Sequence, residues 1–188
     1  METTQIRSTH RLGARARGVT LVECCIAVGI VGVLASQAVP SLDTWTDQQR
    51  LTGRANEVAQ DIYLMKSTAV MKNQALRLRV YTDDSGSCYV LQAGDDAACS
   101  CTGSGALNCP DPTRPPLRSA HFPATDGVTL SSNVKTLTVD SRLGTFSPGA
   151  TLKIGTTEGR EIRHIVNIMG RVRSCSWPQA SGSFSQCT

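Results

Sequence analysis

At 188 residues, with 19 Lys and Arg against 15 Asp and Glu and aromatics at only 4%, the chain is too short for a multidomain enzyme and long enough to bury one real core. Its formal charge of +4 is concentrated at the start, where Arg7, Arg11, Arg15 and Arg17 face Glu2 alone. The remainder is near neutral, so a polyanion partner has to be held by a local cationic cluster, because the field of the whole molecule is weak.

Residues 19–39 read VTLVECCIAVGIVGVLASQAV, with Thr20, Glu23, Ser36 and Gln37 as the plainly polar positions. As a helix this run covers about 30 Å, the hydrocarbon thickness of a bilayer. The basic stretch before it is expected to stay cytoplasmic, which sends everything after Pro40 across the membrane. A secretory signal peptide has a shorter apolar region and a small-residue cleavage site, and SQAVP does not supply one. Glu23 is a carboxylate at the edge of the apolar zone, where a charge requires a partner.

The segment RGVTLVE, Arg17 to Glu23, resembles the class III signal of type IV pilins and pseudopilins. The resemblance implies that a prepilin peptidase cuts after Gly18 and methylates the new amine of Val19. It departs from the family at Val19, where phenylalanine is commoner. Residues 1–18 would then be a cleaved cytoplasmic leader, 19–40 the transmembrane half of a long helix, and 41–188 a periplasmic or extracellular globular domain. The chain would lie in the inner membrane as a single-pass protein before joining other pilins in a filament. The chemistry is legible in the residues: glycine leaves the scissile backbone unobstructed, and the freed Val19 ammonium can neutralise the Glu23 carboxylate of a neighbouring subunit, so that neither charge is buried alone.

After Pro40 the apolar residues become one-sided. Leu51, Ala55, Val58, Ile62, Met65 and Ala69 recur at spacings of three and four, the stripe of an amphipathic helix. The spacing predicts one helix from about Val19 to about Met71, with a bend at Pro40. Asp43, Asp47, Arg50, Arg54, Glu57, Asp61 and Lys66 are read as its solvated face.

From residue 75 the period changes to two: Leu76, Leu78 and Val80 alternate with Arg77, Arg79 and Tyr81, and a DDSG turn leads to Cys88-Tyr-Val-Leu-Gln, a hairpin. Residues 95–127 break every pattern and read as an irregular, acidic loop that needs staples. Strand-like runs resume at Val128–Leu130, Val134–Val139, Thr145–Phe146, Thr151–Ile154 and Arg160–Ile168. One helix followed by an antiparallel sheet is an α+β domain.

Of the eight cysteines, Cys24 and Cys25 sit in the apolar run, and Cys88, Cys99, Cys101, Cys109, Cys175 and Cys187 in the polar remainder. Six allow three bridges in 15 connectivities, which fits an oxidising compartment. The alternative, a cytosolic zinc site at Cys99, Cys101 and Cys109, has a poor ligand frame. His10, His121 and His164 are scattered, and no phosphate loop, nucleophile elbow or metal spacing occurs. No catalytic residue, metal or cofactor is expected.

From Lys135 onward seven basic residues face three acidic ones, making one end of the domain cationic. Gly170-Arg171-Val172-Arg173 is the sharpest cluster. In an extended segment its arginines point to one side roughly 6–7 Å apart, close to the phosphate spacing of a nucleic-acid strand. Gly170 is read as letting the backbone turn and approach. The alternative for this pair is surface solubility or contact with a neighbouring pilin. GTFSPGATLKIGTTEGREIRHIVNIMGRVRSC resembles the FimT/GspH branch of minor pilins, in which a Phe-x-Pro-Gly hairpin precedes a strand ending in a Gly-Arg turn. The Gly-Arg-x-Arg tail resembles that of FimT pilins that bind DNA in natural transformation. By that resemblance Arg171 and Arg173 grip double-stranded DNA without sequence preference, with Arg160, Arg163 and Lys153 contributing less. Cys175 and Cys187 would close a loop that fixes a tail at about 170–188, with Trp177 and Phe184 stacked on the sheet or, alternatively, on bases. The other function class is structural: a type II secretion pseudopilin, or a minor pilin that primes assembly without binding DNA.

Overall fold

In the computed structural model, residues 18–94 and 99–188 are described, with all their side chains except those of 37–41 and 43. The leader expected at 1–18 thus lies outside the described residues except for Gly18. The chain divides into two compact units, Met1–Asp43 and Thr44–Thr188. A single helix, α1 (Leu21–Lys72), begins in the first and ends in the second, and it continues through Pro40.

In the first unit Thr20 caps α1: its Oγ1 accepts the Glu23 N–H at 3.3 Å, in the Thr-x-x-Glu order of a capping box. The Glu23 carboxylate sits in the first turn, where the helix dipole favours an anion. Leu21, Ile26, Val28, Val31 and Leu34 are all more than half exposed within this unit, an apolar surface of the kind that faces lipid or partner helices. Among the described residues, no helix is long and apolar enough to cross a membrane. The run expected to span continues into 37–40, whose side chains lie outside the described set.

In the second unit the predicted stripe is the buried face of α1, with Leu51, Ala55, Val58, Ile62, Met65 and Ala69 all at 0–1% exposure. Burying these six side chains is worth on the order of 10 kcal/mol, as an upper figure. They pack on the inner faces of two antiparallel sheets. The first runs in the order β5 (Arg118–Pro123), β2 (Gly86–Ala93), β1 (Leu76–Asp83), β7 (Thr136–Val139), β8 (Phe146–Ser147). The second is β11 (Val172–Trp177), β10 (Glu161–Val166), β9 (Ala150–Thr156), β6 (Val128–Ser132). Ser87 stitches the sheets together, its buried Oγ accepting the Leu130 N–H at 2.7 Å.

β2 is buried on both faces. Its outer side, Cys88 and Val90, is covered by the miniature pair β3 (Ser100–Cys101) and β4 (Leu107–Asn108). Bridges Cys88–Cys101 and Cys99–Cys109 hold this cover in place. Gln92 clamps it further, accepting the Cys99 N–H at 2.7 Å and donating to the Cys99 carbonyl at 3.3 Å. All three sulfurs of the alternative zinc site are therefore consumed in disulfides.

Four expectations are corrected. The segment 95–127 is not wholly irregular: Arg118–Pro123 forms edge strand β5 on β2, because Phe122 can be buried in the core. The antiparallel β-domain, expected as one sheet, is divided between two main sheets and the two-stranded β3–β4 pair. Phe146-Ser147-Pro148-Gly149 does not turn a hairpin; it carries the chain from β8 in one sheet to β9 in the other. The expected solvated face of α1 is largely engaged. Asp61 is 2% exposed, Arg54 pairs with Glu57 and Asp126 and lies 5.3 Å over the Phe122 ring, and Lys66 reaches the Gly170 carbonyl at 3.5 Å. The sheets wrap further round the helix than the apolar stripe alone indicates.

Candidate nucleic-acid interface

β10 and β11 are joined by a tight turn at 167–170. Gly170 N–H donates to the Asn167 carbonyl at 2.9 Å, Asn167 N–H to the Arg171 carbonyl at 3.1 Å, and Arg171 N–H to Asn167 Oδ1 at 2.8 Å. Phe146 N–H fixes the turn from outside through the Ile168 carbonyl at 2.9 Å. Gly170 has φ +77°, and a Cβ there would lie 2.6 Å from Lys66 Nζ and 2.9 Å from the Gly144 carbonyl oxygen. Gly170 thus lets the backbone turn, as expected, and the close approach that requires glycine in this structure is to α1 and the Gly144 turn.

The turn presents Arg171 just before β11 and Arg173 on the outer face of the strand, opposite Ile165. Both are exposed, and neither has an ion-pair partner among the described residues. In register on the same outer face lie Lys153 of β9 and Arg163 of β10, which are directly opposed. Arg163 and Arg160 are occupied. Arg163 donates from Nε and Nη2 to Glu161 at 2.9 and 2.8 Å and lies 5.0 Å over the Trp177 ring. Arg160 is paired with Glu158 at 2.6 Å. Alternation along the strand, with Glu161 two residues before Arg163, was the signal in the sequence for the first of these pairs.

Beside Arg173 runs a groove of about 460 Å³ lined by Ile165, Arg173, Ser174, Cys175, Ser185, Gln186 and Thr188. Its far wall is the carboxy-terminal segment, which the Cys175–Cys187 bridge ties to β11. Bonds from Ser176 N–H to the Ser185 carbonyl (2.8 Å) and from Cys187 N–H to the Ser176 carbonyl (2.9 Å) complete the attachment. The expected tail at about 170–188 comprises edge strand β11 followed by a segment pinned to it by the bridge. Phe184 packs against the core, edge-on to His164 at 6.4 Å, while Trp177 stays 45% exposed under Arg163. Ser185 and Gln186 bring a hydroxyl and an amide to the groove, the Gln186 Nε2 already donating to the Pro178 carbonyl at 2.6 Å. Sequence reasoning missed them, since only the disulfide brings 185–186 beside 174.

Behind the interface, His164 is fully buried. Its Nε2–H donates to the Ala55 carbonyl at 2.8 Å, which leaves Nδ1 to accept from the Ser174 hydroxyl, also at 2.8 Å. It ties α1 to β11, and desolvation holds its pKa below the ordinary histidine value.

The sequence model of the family described as Type II transport protein GspH matches residues 54–170, so Arg171, Arg173 and the pinned segment lie beyond the matched stretch. No curated protein matches the chain. Among solved structures, the chain is similar to the type IV minor pilin FimU of Pseudomonas aeruginosa, at 23% identity over 69% of this chain and 90% of that one, with a TM-score of 0.46. It is also similar to the minor pseudopilin EpsH from the type 2 secretion system of Vibrio cholerae, at 13% identity over 67% of this chain and 96% of that one, also with a TM-score of 0.46.

Proposed function

This chain belongs to the GspH family and is a minor pilin or pseudopilin, and from that premise we propose that it binds DNA through the β10–β11 hairpin as part of a type IV pilus engaged in DNA uptake. The observation that carries the reading is the pair Arg171 and Arg173, two exposed cations without carboxylate partners among the described residues. Guanidinium groups so placed can replace the counterions of successive phosphates, the main source of sequence-independent affinity. Lys153 supports them on the same face, and Ser185 and Gln186 offer neutral polar groups along the groove. Arg163 and Arg160 contribute less, because phosphate has to compete with Glu161 and Glu158. The resemblance of Gly170-Arg171-Val172-Arg173 to the FimT tail supports the same reading. The test is a mobility shift with duplex DNA at low salt: the intact protein retards it with little sequence preference, and R171Q/R173Q abolishes the retardation without changing Tm.

In this reading prepilin peptidase cuts between Gly18 and Val19 and methylates Val19, the chain waits in the inner membrane, and Glu23 sets register by meeting the Val19 ammonium of an adjacent subunit. The Thr20 cap supports it, since the helix begins only two residues after the new terminus. An intact leader, seen by mass spectrometry in cells with an active peptidase, refutes this part.

A second reading is a secretion pseudopilin or assembly-priming pilin that does not bind DNA. Leu143, Ile168 and Met169, 79%, 61% and 70% exposed, favour it: large apolar side chains on exposed turns suit contact with a neighbouring subunit. Absence of any DNA retardation by the intact protein selects this reading.

A further inference from the structure

The sheet that does not carry Arg171 and Arg173 has a cationic feature of its own. β1 pairs with β7 only from Leu76 to Arg79, and a last bond from Val80 N–H to the Lys135 carbonyl at 3.2 Å precedes their separation. At that fork a cavity of about 430 Å³ is lined by Arg79, Val80, Tyr81, Thr82, Lys135 and Thr136.

The lining holds two cations and three hydroxyl-bearing side chains, and no carboxylate. Arg79 is half-buried between Val90 of β2 and Thr136 of β7, and its Nε is enclosed without a hydrogen-bond partner. A buried donor on a cation is destabilising when no acceptor meets it, and nearly all such groups in folded proteins are satisfied. Lys135 is exposed and has no ion-pair partner among the described residues. The carboxylate further along β1, Asp83, is turned to other work: its Oδ1 accepts Ser85 N–H and its Oδ2 accepts Gly103 N–H, each at 2.8 Å.

We propose that this fork is an oxyanion-binding site for a carboxylate or phosphate group. The two terminal nitrogens of Arg79 form the two-pronged donor that takes such a group end-on, Lys135 supplies a second positive charge, and Thr82 and Thr136 supply hydroxyls. The volume exceeds that of the oxyanion alone and leaves room for its stem. The site does not rest on the DNA-binding reading, because it involves neither Arg171 nor Arg173.

The experiment titrates inorganic phosphate, and separately glutarate, into the isotope-labelled full chain in detergent micelles while following the arginine Nε–H and backbone amide resonances. The expected result is a saturable shift of the Arg79 Nε–H signal with the amides of Thr82 and Thr136. It is lost in R79Q, weakened about three- to tenfold in K135Q, and weakened in R79K, which keeps the charge and loses the fork. A shift that does not saturate, or one that persists unchanged in R79Q, overturns the proposal. If R79Q does not fold, R79K and K135Q decide it: binding equal to that of the unaltered chain in both is equally fatal. A tighter response to glutarate identifies a carboxylate source. A tighter response to phosphate identifies a phosphate source.

Discussion

The Tyr89 hydroxyl donates a 2.6 Å hydrogen bond to Asp61 Oδ2 at a point where neither residue is more than 2% exposed. The other oxygen, Oδ1, accepts from Arg118 Nε at 3.1 Å, so one helix carboxylate is held by β2 and by edge strand β5. Burial, then the Asp61 bond, raises the Tyr89 pKa far above the ordinary tyrosine value, which keeps the hydroxyl a donor throughout the accessible pH range.

Removing the carboxylate leaves a buried hydroxyl and a guanidinium without their acceptor. We expect D61A to lose about 3 kcal/mol of stability, and Y89F, which removes only one donor, about 1–2 kcal/mol. Chemical denaturation of both variants and of the double variant gives the coupling directly. Near-additive losses would deny the network.

His164 makes stability depend on pH with a definite sign. Its folded pKa is depressed by burial, so below about 6.5 the unfolded chain takes up a proton that the native site resists. The contribution is complete above the unfolded value and is lost as pH falls toward the folded one. Tm measured from about pH 7.5 to 5 should therefore drop with acidification, and the His164-dependent part of the slope should vanish in H164N.

Gly170 separates a packing role from a binding one. A methyl group at φ +77° meets the Gly144 carbonyl and Lys66, and G170A should destabilise by about 1–3 kcal/mol. R171Q/R173Q should leave Tm where it was while abolishing DNA retardation at low salt. Equal effects of the two variants on Tm would contradict this division.

Glu161 competes with any phosphate for Arg163. E161Q removes that competitor and should strengthen DNA retention by about three- to tenfold in mobility shifts at fixed salt. A loss of affinity instead would show that Glu161 orients the interface.

The Cys175–Cys187 bridge builds the groove wall. C175S/C187S should cost about 3 kcal/mol and weaken DNA retention even where the variant is fully folded, with near-ultraviolet circular dichroism as the folding control. Unchanged retention would restrict the interface to the β10–β11 turn.

What the sequence by itself determined were the features set by near neighbours. The three-and-four spacing from Leu51 to Ala69 specifies the buried stripe of α1, the two-residue alternation from Leu76 specifies β1, and the DDSG turn specifies its hairpin with β2, because these periods follow from backbone geometry over a few residues. The Gly-Arg-x-Arg cluster was equally local, and so was the exposure of its arginines. Tertiary structure decided which charged residues are available. Asp61 lies on the flank of the apolar stripe and reads as solvated until Tyr89, 28 residues on, and Arg118, 57 residues on, close over it. The partition of the strands into two sheets, the pairing of 185–186 with β11, and the open fork beside Arg79 likewise depend on contacts across long stretches of chain. Such contacts are settled by how the whole core packs, and no local period records them.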